Sequence, residues 1–425
     1  MPSEFTSKLF SYSPTPERNK LYYGWIVLLS CFIIAIVGAG IHLSFGVFFK
    51  SLEADFGLTR ASTSGIFSTF LLFGMIFSII GGWALDRYGP RIILTLMGLF
   101  SGLGLLSTSQ ANVLWHLYIS HGFLLAMGSA YWFPILASVA SMWFVKKRGL
   151  ALGIVTSGIS GSMIIMAPVS TYLILNYGWR MSYIILALTG LFLIIPFAQL
   201  LKRTLGEAAT LSEKELQDII NLNPADRQAC GDSGSFSLLQ AVKTGNFWVL
   251  FSLWFLIGNI FYIFTTHIVP HAIDLGIIPT IAASILSLFS VAAIAGSLLM
   301  GKISDTIGHR KSIVICSLLI VGAMLWLVWT SNIWMMFLFA VFFGFGSGGF
   351  IVPLTALAGD TFGLNHLGKI MTALNAGWMI GGAIGPVFVG YIFDISGSYT
   401  IGFLVGALAA LSSTALALLF KTSDR

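Results

Sequence analysis

The sequence predicts an all-α membrane protein of twelve transmembrane helices, arranged as two pseudo-symmetric six-helix bundles. Three observations carry that expectation: a composition too apolar for water, twelve long apolar runs, and a repeat that relates the halves of the chain at one offset. Of 425 residues, 57% are hydrophobic and 9% charged, with a mean hydropathy of +0.92. A soluble domain carries about 25% charge. A chain this poor in charge cannot cover a water-facing surface, which excludes a soluble enzyme. Cys31, Cys230 and Cys316 are scattered without metal-ligand spacing, two of them inside apolar runs. They are expected to be small buried side chains rather than a disulfide framework.

A helix needs about 20 apolar residues to cross a bilayer core. Such runs fall at 22–47, 61–84, 92–110, 113–142, 150–174, 181–200, 246–271, 281–301, 312–330, 333–358, 369–392 and 399–420. Each is continuously apolar, whereas barrel strands alternate over about 10 residues. The first run exceeds a signal-peptide core and no small-residue cleavage site follows it promptly, so it is expected to remain as span one.

Orientation follows from the basic residues. With the N-terminus cytoplasmic, 19 of the 22 Lys and Arg face the cytoplasm, and only Lys50, Arg60 and Arg180 do not. That positive-inside bias accounts for the basic balance without nucleic acid. An even number of spans places both termini on the cytoplasmic side. The expected domains are an N-terminal tail (1–21), a six-helix bundle (22–200), a cytoplasmic linker (201–245), a second bundle (246–420) and a C-terminal tail (421–425). Ser212 to Glu215 fits a capping box, predicting a short surface helix within the linker.

The repeat has an offset of 219 residues. It carries Gly82, Asp86, Gly89 and Arg91 onto Gly301, Asp305, Gly308 and Arg310, and it also relates Gly149 to Gly368, Tyr172 to Tyr391 and Gly178 to Gly397. A six-plus-six repeat places a site between the halves, near the membrane midplane. The first copy of the loop reads Gly82-Trp-Ala-Leu-Asp86-Arg87-Tyr-Gly89-Pro-Arg91. A carboxylate and basic side chains at helix ends can pair with one another and with the helix dipoles. Such a cluster can hold one arrangement of the halves and release another, which makes these residues and their second-half copies the expected gate.

This loop, G-x-x-x-D-R-x-G-x-[RK], resembles the signature of the major facilitator superfamily, and the likeness covers nearly the whole chain. Further segments resemble its monocarboxylate porter and oxalate–formate antiporter branch. These are Tyr22-Tyr23-Gly24-Trp25 opening span one, Trp143-Phe144-Val145-Lys146-Lys147-Arg148-Gly149-Leu150 before span five, and Gly381-Gly382-Ala-Ile-Gly385-Pro386 in span eleven. The resemblance implies the major facilitator fold and alternating-access transport. In the branch, carriers of carboxylates commonly hold an arginine in span eight, four residues before the loop-motif glycine that is Gly301 here. Ser297 occupies that position here, and no Lys or Arg lies deep in any span. The usual bidentate clamp for a carboxylate is therefore missing.

No Asp or Glu lies deep in a span either. Ionisable groups within a membrane mark proton and ion paths, which leaves the histidines as candidates. They are His42 in span one, His121 in span four, and His267 and His271 in span seven; His116 sits at a span end as an interfacial residue. Depth counting at about 1.5 Å per residue adds Asn259 and Tyr262 of span seven, Tyr131 of span four, Ser290 and Ser297 of span eight, and Asn375 and Trp378 of span eleven. A buried amide in lipid needs a partner, so Asn259 and Asn375 are expected to face the bundle interior, toward solute or a neighbouring helix. Gly377, Gly381 and Gly385 line one face of span eleven, where small residues permit close helix contact.

The expected function is transport of a small organic solute, a monocarboxylate or related acid among the options, by alternating access across a cell membrane. A membrane sensor that keeps the fold without turnover is the alternative. A coupling proton or a counter-solute is an open partner, the chain is expected to be a monomer, and no catalysis, metal, cofactor or nucleic-acid partner is expected.

Overall fold

The computed structural model describes residues 23–129, 132–144, 148–201, 236–363 and 367–420. Within these residues the chain is helical almost throughout. Ten helices are long and apolar enough to cross a membrane. One of them, Arg148–Gln199, bends at Gly178 (φ 77°, ψ 164°) into spans five and six. Span four runs through Leu114–Leu117, a π-helical stretch Tyr118–Leu124, Leu125–Ser129 and Trp132–Trp143. Together these give the twelve crossings.

Several helices overrun their apolar runs. Span one comprises Tyr23–Leu43 and Phe45–Phe56, with Ser44 between them donating its hydroxyl to the Gly40 carbonyl at 2.6 Å. Spans two and three are Arg60–Tyr88 and Pro90–Ser109. The second half has Gly245–Asp274, Pro279–Ile307, His309–Val328, Ile333–Phe362, Leu367–Ser396 and Thr400–Leu419 as spans seven to twelve. A short helix, Leu238–Val242, precedes span seven with a Ser237–Gln240 capping box. The capping box expected at Ser212–Glu215 lies outside the described residues.

The internal repeat is visible in the backbone. Gly89 and Gly308 end spans two and eight at φ 80° and 93°, and Gly178 and Gly397 turn the chain into spans six and twelve at φ 77° and 68°. Gly57 and Gly276, which share the 219-residue offset, form a third such pair at φ 61° and 82°. All six have left-handed φ, where a Cβ would be strained, so equivalent turns need glycine in both halves.

Between the halves, span two packs on span eleven and span five on span eight. The repeat maps span two onto eight and five onto eleven, so these two seams are symmetry equivalents. Within the second half, the small face of span eleven lies directly against span seven: Gly377, Gly381 and Gly385 meet Phe251, Phe255 and Asn259. Span ten uses Gly344 and Gly348 in the same way against Phe289 and Ala293 of span eight. Lipid offers helices no hydrophobic reason to associate, so these bare backbone contacts supply the dispersion that holds the bundle.

Candidate functional site

The face carrying Tyr23 and Phe420 is called the terminal face, and the opposite one the distal face. At the distal face the halves are locked around Arg60, the first residue of span two. Its side chain is 3% exposed. Its guanidinium meets Asp274 at 2.8 Å and Glu53 at 2.8 Å, and donates to the Tyr399 hydroxyl at 2.7 Å. Phe393 lies under it, 4.5 Å from the ring centroid, where the aromatic face attracts a cation. Lys50 adds a 2.6 Å ion pair to the same Asp274. Asp394, at the distal end of span eleven, accepts the backbone N–H groups of Arg60 and Ala61 at 2.8 and 2.9 Å. A carboxylate of one half thus caps a helix of the other, at the end where the dipole favours negative charge.

The repeat explains why this lock crosses the halves. Asp55 and Asp274 are equivalents, as are Arg180 and Tyr399, by the 219-residue offset. In the first half Arg180 pairs with Asp55 at 2.7 Å and also donates to the Ala111 carbonyl. In the second half tyrosine replaces the arginine, and Asp274 takes its cations, Arg60 and Lys50, from the opposite half. Sequence reasoning did not select Arg60, Lys50, Glu53, Asp274, Asp394 or Tyr399. The available signal was that Lys50, Arg60 and Arg180 are the three exceptions to the positive-inside pattern, and each proves to be ion-paired.

His267 belongs to the lock. It is fully buried. Its Nε2 faces the Pro386 carbonyl at 2.8 Å, which can only accept, so Nε2 donates. Nδ1 lies 3.2 Å from Tyr399, whose hydroxyl accepts from Arg60 and donates onward to the ring. Ser64 of span two approaches Nε2 at 3.3 Å. One chain of contacts therefore runs Arg60, Tyr399, His267, Pro386, across both halves. His271 packs edge-on against Tyr399 and Phe403.

Deeper in the interface, Trp378 donates its indole N–H to the Tyr262 hydroxyl at 3.3 Å. Phe67 of span two lies 5.5 Å from Tyr262, so this pair touches both halves. Trp254 and Phe261 complete an aromatic wall around Trp378, at 6.0 and 5.1 Å. The indole N–H of Trp254 is buried without a partner among the described residues. Asn375, one turn before Trp378, is half-buried and makes no side-chain hydrogen bond among them. Asn259 donates to the Gly381 carbonyl at 3.2 Å, a tie between spans seven and eleven. Ser290 and Ser297 each donate to their own helix, at Leu286 and Ile294. Tyr131 lies outside the described residues.

The structure thus joins Tyr262 to Trp378 and Asn259 to Gly381 between spans seven and eleven, with Asn375 one turn from Trp378, while His42 and His121 lie in the first half. His42 stacks on Phe70 at 5.6 Å and meets the Gly38 carbonyl at 3.2 Å. His121 is buried, with neither ring nitrogen partnered among the described residues. An unsatisfied buried polar group costs about 1–3 kcal/mol, so this residue needs a reason.

At the terminal face no ion pair among the described residues joins the signature loops across the halves. Arg87, Arg91 and Asp305 are exposed and form no ion pair among the described residues. The Arg87 guanidinium lies over Trp83 and Tyr88. The surroundings of Gly82 and the Asp86 side chain lie outside what is described. Gly301 rests against Val352, and Arg310 donates to the carbonyls of Ala417 and Leu418, at the C-terminal end of span twelve where a cation suits the dipole. His309 pairs with Asp360 at 3.4 Å. Gly89 and Gly308 turn the chain out of these helices as described above.

Comparison with known proteins agrees with this architecture. The family model of the Major Facilitator Superfamily matches residues 27–277 and 268–425. Monocarboxylate transporter 13 of Rattus norvegicus is 28% identical over 400 residues, covering 92% of this chain and 87% of the relative. Monocarboxylate transporter 12 of Homo sapiens is 25% identical over 416 residues, covering 93% and 80%. Among solved structures, a bacterial homolog of the human lysosomal transporter Spinster, inward-facing and occupied, superposes with a TM-score of 0.74 at 14% identity, covering 95% of this chain and 97% of that one. The fold, the repeat and the family match lead to one conclusion: the chain belongs to the Major Facilitator Superfamily, as an integral multi-pass transporter-family protein resembling the monocarboxylate porters.

Proposed function

We propose that the protein carries a small organic solute, a monocarboxylate or related organic acid, by alternating access. The observation that carries this is the lock around Arg60, which joins the halves at the distal face, whereas no ion pair among the described residues joins them at the terminal face. With the termini cytoplasmic, as the basic residues argue, this is the arrangement closed to the outside. The N-terminal bundle (22–200) and C-terminal bundle (246–420) rock about the cavity as a monomer in a cell membrane. The names of the relatives support an organic acid as the solute.

The solute sits against the surface of Tyr262, Trp378 and Asn375, with Asn259 setting the approach of spans seven and eleven. Ser290 and Ser297 offer hydroxyls from span eight. With Ser297 where a carboxylate clamp would stand, hydrogen-bond donors and a coupling proton take over charge compensation. Asp86, Arg87 and Arg91, with Asp305 and Arg310, engage when the terminal face closes. Uptake of radiolabelled lactate and pyruvate into proteoliposomes, with and without an imposed pH gradient, tests the function. Saturable uptake stimulated by an acidic outside is expected; uptake equal to that of empty liposomes for these and for a panel of other organic acids would contradict it.

A further inference from the structure

His121 lies within the first bundle, walled by Phe45 and Phe70 at ring-centroid distances of 5.0 and 6.3 Å. Tyr183 of span six stands 6.0 Å away, and its hydroxyl, like both His121 nitrogens, has no partner among the described residues. Both residues are 1% exposed. A neutral imidazole always presents one donor and one acceptor, so three polar sites are sealed together unsatisfied. A phenylalanine would fill this space without that cost. The helix also departs from α geometry here: Tyr118–Leu124 forms π turns with His121 at their centre. Such turns are uncommon and recur at functional sites.

What covers the pair is equally specific. Span one breaks at Ser44, and its distal segment, Phe45–Phe56, presents successive rings to separate targets. Phe45 lies on His121, Phe48 stacks on Tyr183 at 4.1 Å, and Phe49 packs on His267 and Arg60. The same segment supplies Lys50 and Glu53 to the lock. The roof over His121 is therefore the element that the lock holds down.

We propose that His121, with the Tyr183 hydroxyl beside it, binds the coupling proton of this carrier, and that the distal segment of span one roofs this site whenever the distal face is sealed. This rests on the proposed transport function. Opening the distal face lifts Phe45 and Phe48 and lets water reach the imidazole, which takes up a proton on its free nitrogen. Resealing then buries a cation among aromatic rings, which is strongly disfavoured without a counter-charge. A carboxylate anion entering the cavity supplies that charge, so proton and anion are sealed in together as a neutral load. Once the anion leaves at the terminal face, the proton follows. The titratable groups that face His121 are His42 of span one and Tyr183 of span six. Spans two and three carry titratable side chains only at their ends: Arg60, Asp86, Arg87 and Tyr88, and Arg91.

The test needs no solute. Spin labels are placed at Asn112→Cys and Ile278→Cys, both exposed at the distal face and one in each half, with the three native cysteines replaced. Distances are measured by pulsed electron resonance in nanodiscs from about pH 8 to about pH 5, the interval in which histidine titrates. Acidification should raise the long-distance, distal-open population in the parent, and His121→Gln should abolish that response. His121→Phe, which suits the apolar walls, repeats the test should the glutamine variant not fold. A response that persists in the variants, or a parent that shows none, overturns the proposal. Lactate flux by the parent is read separately in proteoliposomes, so that failure of the transport function is distinguished from failure of the proton site.

Discussion

Asp394 of span eleven accepts the backbone N–H groups of Arg60 and Ala61, placing a carboxylate from the second half on the N-terminus of a helix in the first. Two charge-assisted bonds across the interface between the halves make this capping contact a tie between them as well as a cap. Asp394→Asn keeps the shape and removes the charge. Hydrogen bonds to charged groups contribute roughly 1.5–3 kcal/mol each, so the distal face should open at least tenfold more often. Faster reaction of a cysteine placed at Phe67 with a reagent added from the distal side would show it; an unchanged rate would sink this role.

Asp274 and Arg60 should be energetically coupled. Arg60 is buried, and each partner keeps a second ion pair, Arg60 with Glu53 and Asp274 with Lys50, so losing one member weakens the network without leaving a bare charge. Arg60→Ala and Asp274→Ala should each shift the gate, and the double variant should fall well short of their sum. Additivity in a double-mutant cycle, read from distal cysteine labelling, would mean that the two do not act as a pair.

Much of the fold was legible because lipid enforces simple rules. Continuous apolar runs marked the crossings, and the 219-residue repeat placed equivalent turns at Gly89 and Gly308 and at Gly178 and Gly397. The distal lock was not selected, because Asp274, Asp394 and Tyr399 become neighbours of Arg60 only through contacts between the halves. Depth counting selected Tyr262 and Trp378 separately, as candidates of spans seven and eleven, and the structure places them in hydrogen-bond contact. It could not tell His267, satisfied on both nitrogens, from His121, satisfied on neither, since hydrogen-bond partners depend on helix rotation rather than depth.

Gly381 should tolerate nothing larger. A Cβ there would collide with the Phe255 carbonyl of span seven. Gly381→Leu should therefore cost about 1–3 kcal/mol or more through overpacking. Gly161→Ala, at a position with open space around it, is the control. Thermal unfolding in detergent should drop for the first and hold for the second; equal melting would contradict the close helix contact.

Asp86 at the terminal face should act on the rate of the cycle. Asp86→Asn removes the charge that the closed terminal face would use, and solute exchange should slow by about tenfold or more, as befits loss of a charge-assisted contact. Binding, followed by thermal shift with the same solute, should change little. Unaltered flux would remove Asp86 from the gate.

Two bundles that open one cavity to opposite faces in turn would expose its wall to each side in turn. Single cysteines at Tyr262 and Trp378, in a background without native cysteines, can be challenged with a membrane-impermeant reagent from each side of oriented vesicles. Both should react from the terminal side in the intact protein, and both should become reactive from the distal side when Arg60→Ala releases the lock. Reaction from one side only, in parent and variant alike and with solute present or absent, would contradict alternating access.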